Sequence, residues 1–250
     1  MRKVLMGAVV GLLLVLIGRP ALAEPVAVRF SEGITRGFPV LRSIKGEILA
    51  QGELIQVARG DLVESRLVFR FRDGSLHDEQ VVFSQRDVFT LQSYQIVQRG
   101  PSFPETLEAR VNRATERYEV RYQADEDSTP EILSGAFTLP GDVYNGLLST
   151  LMKNLPVGGS ATVQMVAYTP KPRRVKMQLT PAAEDRVQVN HAALTATRFV
   201  VRPQLGLLAS MLFVDVPDLK CWILGGEAPA FIRFEGPLYF MGPIWRIDWS

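Results

Sequence analysis

Residues 221–250 read CWILGGEAPAFIRFEGPLYFMGPIWRIDWS and hold all three tryptophans of the 250-residue chain. Glycine and proline cut this run into short apolar pieces. In the last piece Ile244, Arg246 and Asp248 alternate with Trp245, Ile247 and Trp249, and a period of two marks a strand with one buried face. The run therefore reads as the closing strands of an antiparallel sheet, with Trp222, Trp245 and Trp249 lining its concave side.

The same alternation recurs upstream. Leu67, Phe69 and Phe71 face away from Arg66, Val68 and Arg70, and Asp73-Gly74 follows as a turn, which predicts a hairpin. A second hairpin is predicted from the alternation around Leu107, Ala109 and Val111 and around Tyr118, Val120 and Tyr122, with Asp125, Glu126 and Asp127 as its solvated end. Further strands are expected at 27–30, 46–57, 88–97, 162–168, 175–179, 186–189 and 196–202. GITRGFPVL and QRGPSFP read as separating segments, and TPKPRR as a turn. The period changes once. After Leu139-Pro140-Gly141, Asp142 is placed to cap a helix along which Val143, Leu147, Leu148, Leu151 and Leu155 recur, with Asn154 and Pro156 ending it. The expected fold is mainly β, of the α+β class: a curved antiparallel sheet or half-barrel wrapped around one main helix near 142–155.

Residues 1–23 have the pattern of an export signal: Arg2 and Lys3, an apolar run from Val4 to Ile17, and Ala21-Leu22-Ala23 as the cleavage site. The expected mature chain is a single β-rich domain over 24–250, open to construction as two sheet halves about the helix. No permanent span is expected, because the apolar stretch 205–214, LGLLASMLFV, is too short for one. Removing Arg2, Lys3 and Arg19 from 28 basic residues leaves 25 against 26 acidic ones. Such a near-neutral protein offers nothing to nucleic acid. Cys221 is the single cysteine, so neither an internal disulfide nor a lipidated mature terminus is available.

The stretches DGSLHDEQVVFSQRDVFTL (73–91), QRGPSFP (98–104), YTPKPRRVKMQL (168–179) and WILGGEAPAFIRFEGPLYFMGPIWRI (222–247) resemble an exported bacterial family of unknown function. More distantly, the second half is similar to other exported β-rich domains of unknown function. In these a helix follows a Leu-Pro motif, here Leu139-Pro140, and a late tryptophan strand, here Trp222-Ile223, precedes a proline-containing strand and a last strand introduced by glycine, here Gly242. The resemblance implies a curved sheet around a helix, akin to the half-barrels of periplasmic lipoprotein and lipid carriers. It implies no established activity and carries over no functional residue.

A catalytic set is hard to assemble. His77 and His191 are the only histidines and no metal-ligand spacing is present. His77, Asp78 and Glu79 form one candidate acid-base or metal cluster, against the plainer reading of an exposed hairpin end. Ser84 and Ser102 lack a nucleophile-elbow setting, and Glu227 and Glu235 could pair across a turn only if the fold brought them together. No cofactor is expected. The apolar residues say more: Trp222, Tyr239, Trp245 and Trp249, with Leu147 and Leu151 of the helix, would line a trough for a hydrophobic ligand, unless they simply pack as core. Lys171, Arg173 and Arg174, beside Lys176, would meet headgroups or another anion at a hairpin tip. The leading expectation is thus an exported envelope protein, periplasmic or secreted, that binds or carries a lipid or other hydrophobic small molecule. The alternative is a structural or assembly factor docking to another envelope protein through 205–214 or a free strand edge; a hydrolase is a third reading.

Overall fold

The computed structural model describes residues 25–125, 127–189, 192–204 and 217–249. The export-signal pattern, His191 and the apolar stretch 205–214 lie outside the described residues. In the first half the strands are β1 (Thr35–Gly37), β2 (Val40–Ser43), β3 (Ile48–Arg59), β4 (Leu62–Phe71), β5 (Leu76–Gln85), β6 (Phe89–Arg99), β7 (Thr106–Asn112), β8 (Arg117–Gln123) and β9 (Glu131–Ala136). The helix α1 (Leu148–Asn154) precedes β10 (Ala161–Thr169), β11 (Lys171–Val189), β12 (Ala192–Gln204), β13 (Leu219–Leu224), β14 (Ala230–Gly236) and β15 (Trp245–Asp248).

All of these strands belong to one antiparallel sheet. Its order is β10-β11-β12-β13-β14-β15-β2-β3-β4-β5-β6-β7-β8-β9, with β1 beside β3. β15 pairs with β2 through Trp245↔Ser43 and Ile247↔Leu41, so the tryptophan-rich end joins the two halves of the sheet. The two edge strands, β10 and β9, do not pair with each other, and the sheet is open.

One face is apolar. Across the first half the register aligns Leu54, Leu67, Glu79, Ile96, Ala109, Val120 and Leu133 in one row. The main core joins Val81, Phe83, Tyr94 and Val111 of this half to Met177, Leu179, Val201 and Cys221 of the other. Side chains so far apart along the sheet can share one core only because the sheet curls back on itself. Ring stacking of Tyr94 on β6 with Tyr168 on β10, centroids 6.3 Å apart, marks where the two ends approach.

The helix is shorter than its periodicity predicts, and the sheet is not wrapped around a main helix. α1 has seven residues and starts after Leu147, which gives it no side-chain cap. Asp142 does not cap it: its carboxylate accepts from Gln164 Nε2 (2.6 Å). Residues 142–145 instead run along the edge of β10. The Tyr144 N–H donates to the Gln164 carbonyl (2.9 Å), the Gln164 N–H to the Asp142 carbonyl (2.8 Å), and the Asn145 amide exchanges both bonds with Val166 (2.8 and 2.7 Å). Gly146 then takes φ +70°, a left-handed conformation that interrupts any helix. The stretch thereby satisfies backbone groups that an edge strand would leave bare.

β11 runs unbroken through Pro172 and Pro181 where two strands and a longer turn are expected. Pro172 sits opposite Tyr168, next to the tight turn, and Pro181 lies at a register shift; strand ends and bulges are the places where a missing N–H costs the ladder little. No described helix is long and apolar enough to cross a membrane.

Candidate functional site

In an antiparallel sheet alternate connections fall at the same end. The turns 44–47 and 72–75 and the loops 100–105 and 237–244 therefore share one end with the β10–β11 turn at Pro170. Side-chain bonds tie two of them together and anchor a third on the sheet. The Asp73 carboxylate accepts from the Ser75 N–H (2.9 Å) and Ser102 Oγ (2.6 Å), and the Ser102 N–H donates to Ser75 Oγ (2.8 Å). Burial acts to raise the Asp73 carboxyl, but the bonds from Ser102 and Ser75 overcome it and leave it below its usual range. Gln98 Nε2 donates to the Leu238 carbonyl (2.7 Å), anchoring the 237–244 loop on β6.

Beneath these connections lies a base of rings. Phe71 meets Phe103 and Trp245 at centroid distances of 5.4 Å, and Tyr239 meets Phe103 at 5.6 Å and Trp245 at 6.0 Å. Phe240 and Met241, which follow Tyr239 in its loop, are 54% and 51% exposed, and Ile44 in the turn after β2 is 55% exposed. Met241 has φ +60°, which costs a residue with a Cβ about 1–2 kcal/mol. The turn is closed by the Gly242 N–H donating to the Tyr239 carbonyl (3.0 Å).

Cations share this end of the sheet with the exposed apolar side chains. Lys45, Arg72 and Arg99 belong to the same connections, and Lys171, Arg173, Arg174 and Lys176 open β11 at this end; all are exposed, and none makes an ion pair among the described residues. Strand alternation puts Lys171 and Arg173 on one face and Arg174 and Lys176 on the other. The acids of these connections are Glu47, Asp73 and Glu105, and the β8–β9 connection at the same end carries exposed Asp125 and Asp127. Of these, Asp73 is engaged by the two serines and Glu105 is bonded to the Tyr122 hydroxyl.

The six apolar candidates are not brought together. Tyr239 and Trp245 belong to the ring base. Leu147 and Leu151, 1% and 0% exposed, pack in the main core. Trp249 lies over Gly37, where any side chain would overlap its ring, and meets Phe231 edge-on at 6.3 Å. Trp222 is not on the concave side: Cys221 and Ile223 enter the core, so alternation turns Trp222 outward among Val187, Ala196 and Ile232. There its Nε1 donates to Asp185 (2.8 Å) and the Arg233 guanidinium lies 5.7 Å from its ring centre.

The catalytic readings dissolve for the same reason. Asp78 points to the outer face and binds Arg66 in bidentate fashion (2.9 and 2.5 Å), while His77 and Glu79 point inward. His77 is buried beside Phe69 and Phe103 and accepts at Nδ1 from Gln98 Nε2 (3.0 Å). Burial pushes its pKa down to about 4, against the nearby Asp78 charge. Glu79 accepts instead from the Tyr94 hydroxyl (2.8 Å); burial raises its pKa, and the Tyr94 bond only partly opposes that. Glu227 is in the exposed β13–β14 turn while Glu235 is on β14, opposite Lys220. Among the described residues no group of three His, Cys, Asp or Glu could hold a metal ion.

No protein-family model matches this chain, and no curated protein does. Among solved structures it is similar to a beta-barrel-like protein of the domain of unknown function DUF1849 from Brucella abortus. That alignment covers 92% of this chain and 98% of the other at 8% identity, with a TM-score of 0.44.

Sequence reasoning missed Phe71, Phe103, Ile44 and Met241 as parts of one end. Only the QRGPSFP loop, with an aromatic between two prolines, hinted that a ring would be held there.

Proposed function

We propose that the protein is an exported, non-catalytic lipid-binding protein of the cell envelope, and that it engages lipid at the open end of its sheet rather than beneath the helix. The observation that carries this reading is that the exposed Phe240, Met241 and Ile44 side chains share one end of the sheet with Lys45, Arg72, Arg99 and the Lys171–Lys176 cations, none of which makes an ion pair among the described residues. Apolar tips gain by leaving water for the headgroup–acyl boundary. Lysines and arginines beside them gain about 1 kcal/mol each near an anionic leaflet. The signal-like residues 1–23 and the resemblance to exported β-rich domains support placing this activity in the envelope.

The test is cosedimentation of the chain lacking residues 1–23, whose apolar run would itself bind lipid, with phosphatidylcholine vesicles with and without phosphatidylglycerol. Binding is expected to the anionic vesicles, weakening with salt. The double variant Phe240→Ser, Met241→Ser should bind at least tenfold more weakly, since burying one such side chain is worth about 1.5–3 kcal/mol. Equal binding by the variant and the parent would refute the reading.

A second reading, docking of a protein strand, is favoured by one observation. Edge strand β9 pairs only with β8, and its Ile132 is 69% exposed, so a partner strand could extend the sheet there.

A further inference from the structure

The outer face of β5–β9 carries a half-open cavity of about 560 Å³ that the lipid reading does not use. Its shape follows from side-chain length. The register sets Val82, Ser93, Asn112 and Arg117 in one row, and Gln80, Gln95, Arg110, Glu119 and Ser134 in the next. Val81, Tyr94 and Val111 between them face the core, so both rows face solvent. Ser93, Asn112 and Ser134 are short and make a floor; Gln80, Gln95 and Arg117 are long and stand up as walls.

The side chains that the two rows turn to solvent are mostly polar. Val82 is the one apolar side chain that either row contributes, and with Tyr94, Val111 and Tyr118 also bordering the cavity its apolar and polar surfaces are about balanced. Arg110 is neutralised by Glu119 (2.9 Å), and Asn112 Oδ1 accepts from the Thr115 N–H (3.1 Å). The side chains of Gln80, Ser93, Gln95, Arg117 and Ser134 make no hydrogen bond to other described residues. Their amides and hydroxyls can both donate and accept, and Arg117 leaves the cavity one positive charge in excess.

From this we infer that the groove is a binding site for an anionic oligosaccharide. Vicinal hydroxyls match side chains that donate and accept together, as the two glutamine amides and two serines do. A carboxylate on the sugar would meet Arg117 in a charge-assisted pair. A peptide fits worse: an extended chain is recognised by backbone bonds to a strand edge, and on a sheet face the ladder already uses those groups.

The experiment is calorimetric titration of the protein with tetragalacturonate and, separately, with neutral maltotetraose and a tetraglutamate peptide. Tetragalacturonate is expected to bind, and Arg117→Gln to weaken it about tenfold, the worth of a hydrogen bond to a charged group. Ser93→Trp, which fills the floor from a half-exposed position, should abolish binding while the far-ultraviolet circular dichroism stays unchanged. Maltotetraose should bind about as weakly to the parent as tetragalacturonate does to Arg117→Gln. Absence of tetragalacturonate binding, equal binding of the neutral sugar, tighter binding of the peptide, or indifference to Ser93→Trp would each overturn the assignment. Vesicle binding should be unaffected by both variants, so this site and the open end fail or succeed separately.

Discussion

His77 offers a direct measure of how dry the ring base is. It is 3% exposed, with ring centroids 6.1 Å from Phe69 and 6.5 Å from Phe103. Burial brings its pKa from 6.5 to about 4, the charge of Asp78 pulling the other way. Between those values the unfolded chain holds the proton and the folded chain does not. Stability is therefore fully present above 6.5 and is lost as the pH falls through the window. At about 1.4 kcal/mol per pH unit, the loss from this residue between pH 7 and pH 4 is about 3 kcal/mol. The assay is urea unfolding followed by tryptophan fluorescence at both pH values, for the parent and for His77→Phe. In the variant Gln98 Nε2 keeps the Leu238 carbonyl as its acceptor, so no buried amide is stranded. Carboxylates titrating in the same range act in both proteins and cancel in the double difference. The parent should lose about 3 kcal/mol more than the variant; parallel losses would show that water reaches the imidazole and that the ring base is open.

Three further outcomes test the rest of the fold. Glu79→Gln keeps an acceptor for the Tyr94 hydroxyl (2.8 Å) and removes a carboxyl whose pKa is raised by burial. That carboxyl gives its full stability below the unfolded value and loses it as pH rises. The variant should therefore melt above the parent at pH 8 and level with it at pH 4, and a gap independent of pH would contradict this. Leu151→Ala empties a fully buried position and should cost about 2–5 kcal/mol in chemical denaturation; a cost below about 1 kcal/mol would mean that α1 borders an open trough after all. Tyr144→Phe removes the acceptor of the buried Val26 N–H (3.0 Å) and should cost about 1–3 kcal/mol, with limited proteolysis reporting release of the segment around Val26.

Local patterns carried much of this architecture. The alternation of Leu67, Phe69 and Phe71 before Asp73-Gly74 is β4 and its turn, and that of Leu107 to Val111 and Tyr118 to Tyr122 is the β7–β8 hairpin. Trp245 and Ile247 face inward as their spacing requires. These features are legible because a half-buried strand imposes its period on the residues that form it. The helical spacing from Val143 to Leu155 misled over its first part. Val143, Leu147 and Leu151 are indeed buried, but Asp142 and Asn145 find better partners on the edge of β10, twenty or so residues away, than within a helix.

Apolar alternation, turn residues and the signal-like start are therefore properties of the sequence by itself, since each depends on neighbours a few positions apart. What only the tertiary structure decided is which residues meet. Trp222 faces outward because both its strand neighbours enter the core, the open end is assembled from turns between Ile44 and Met241, and the polar groove combines Gln80 with Ser134. The physical reason is common to all three. In a sheet each strand's face and neighbours are set by register with partners distant in sequence, and a shift of one residue would exchange every inward side chain for an outward one.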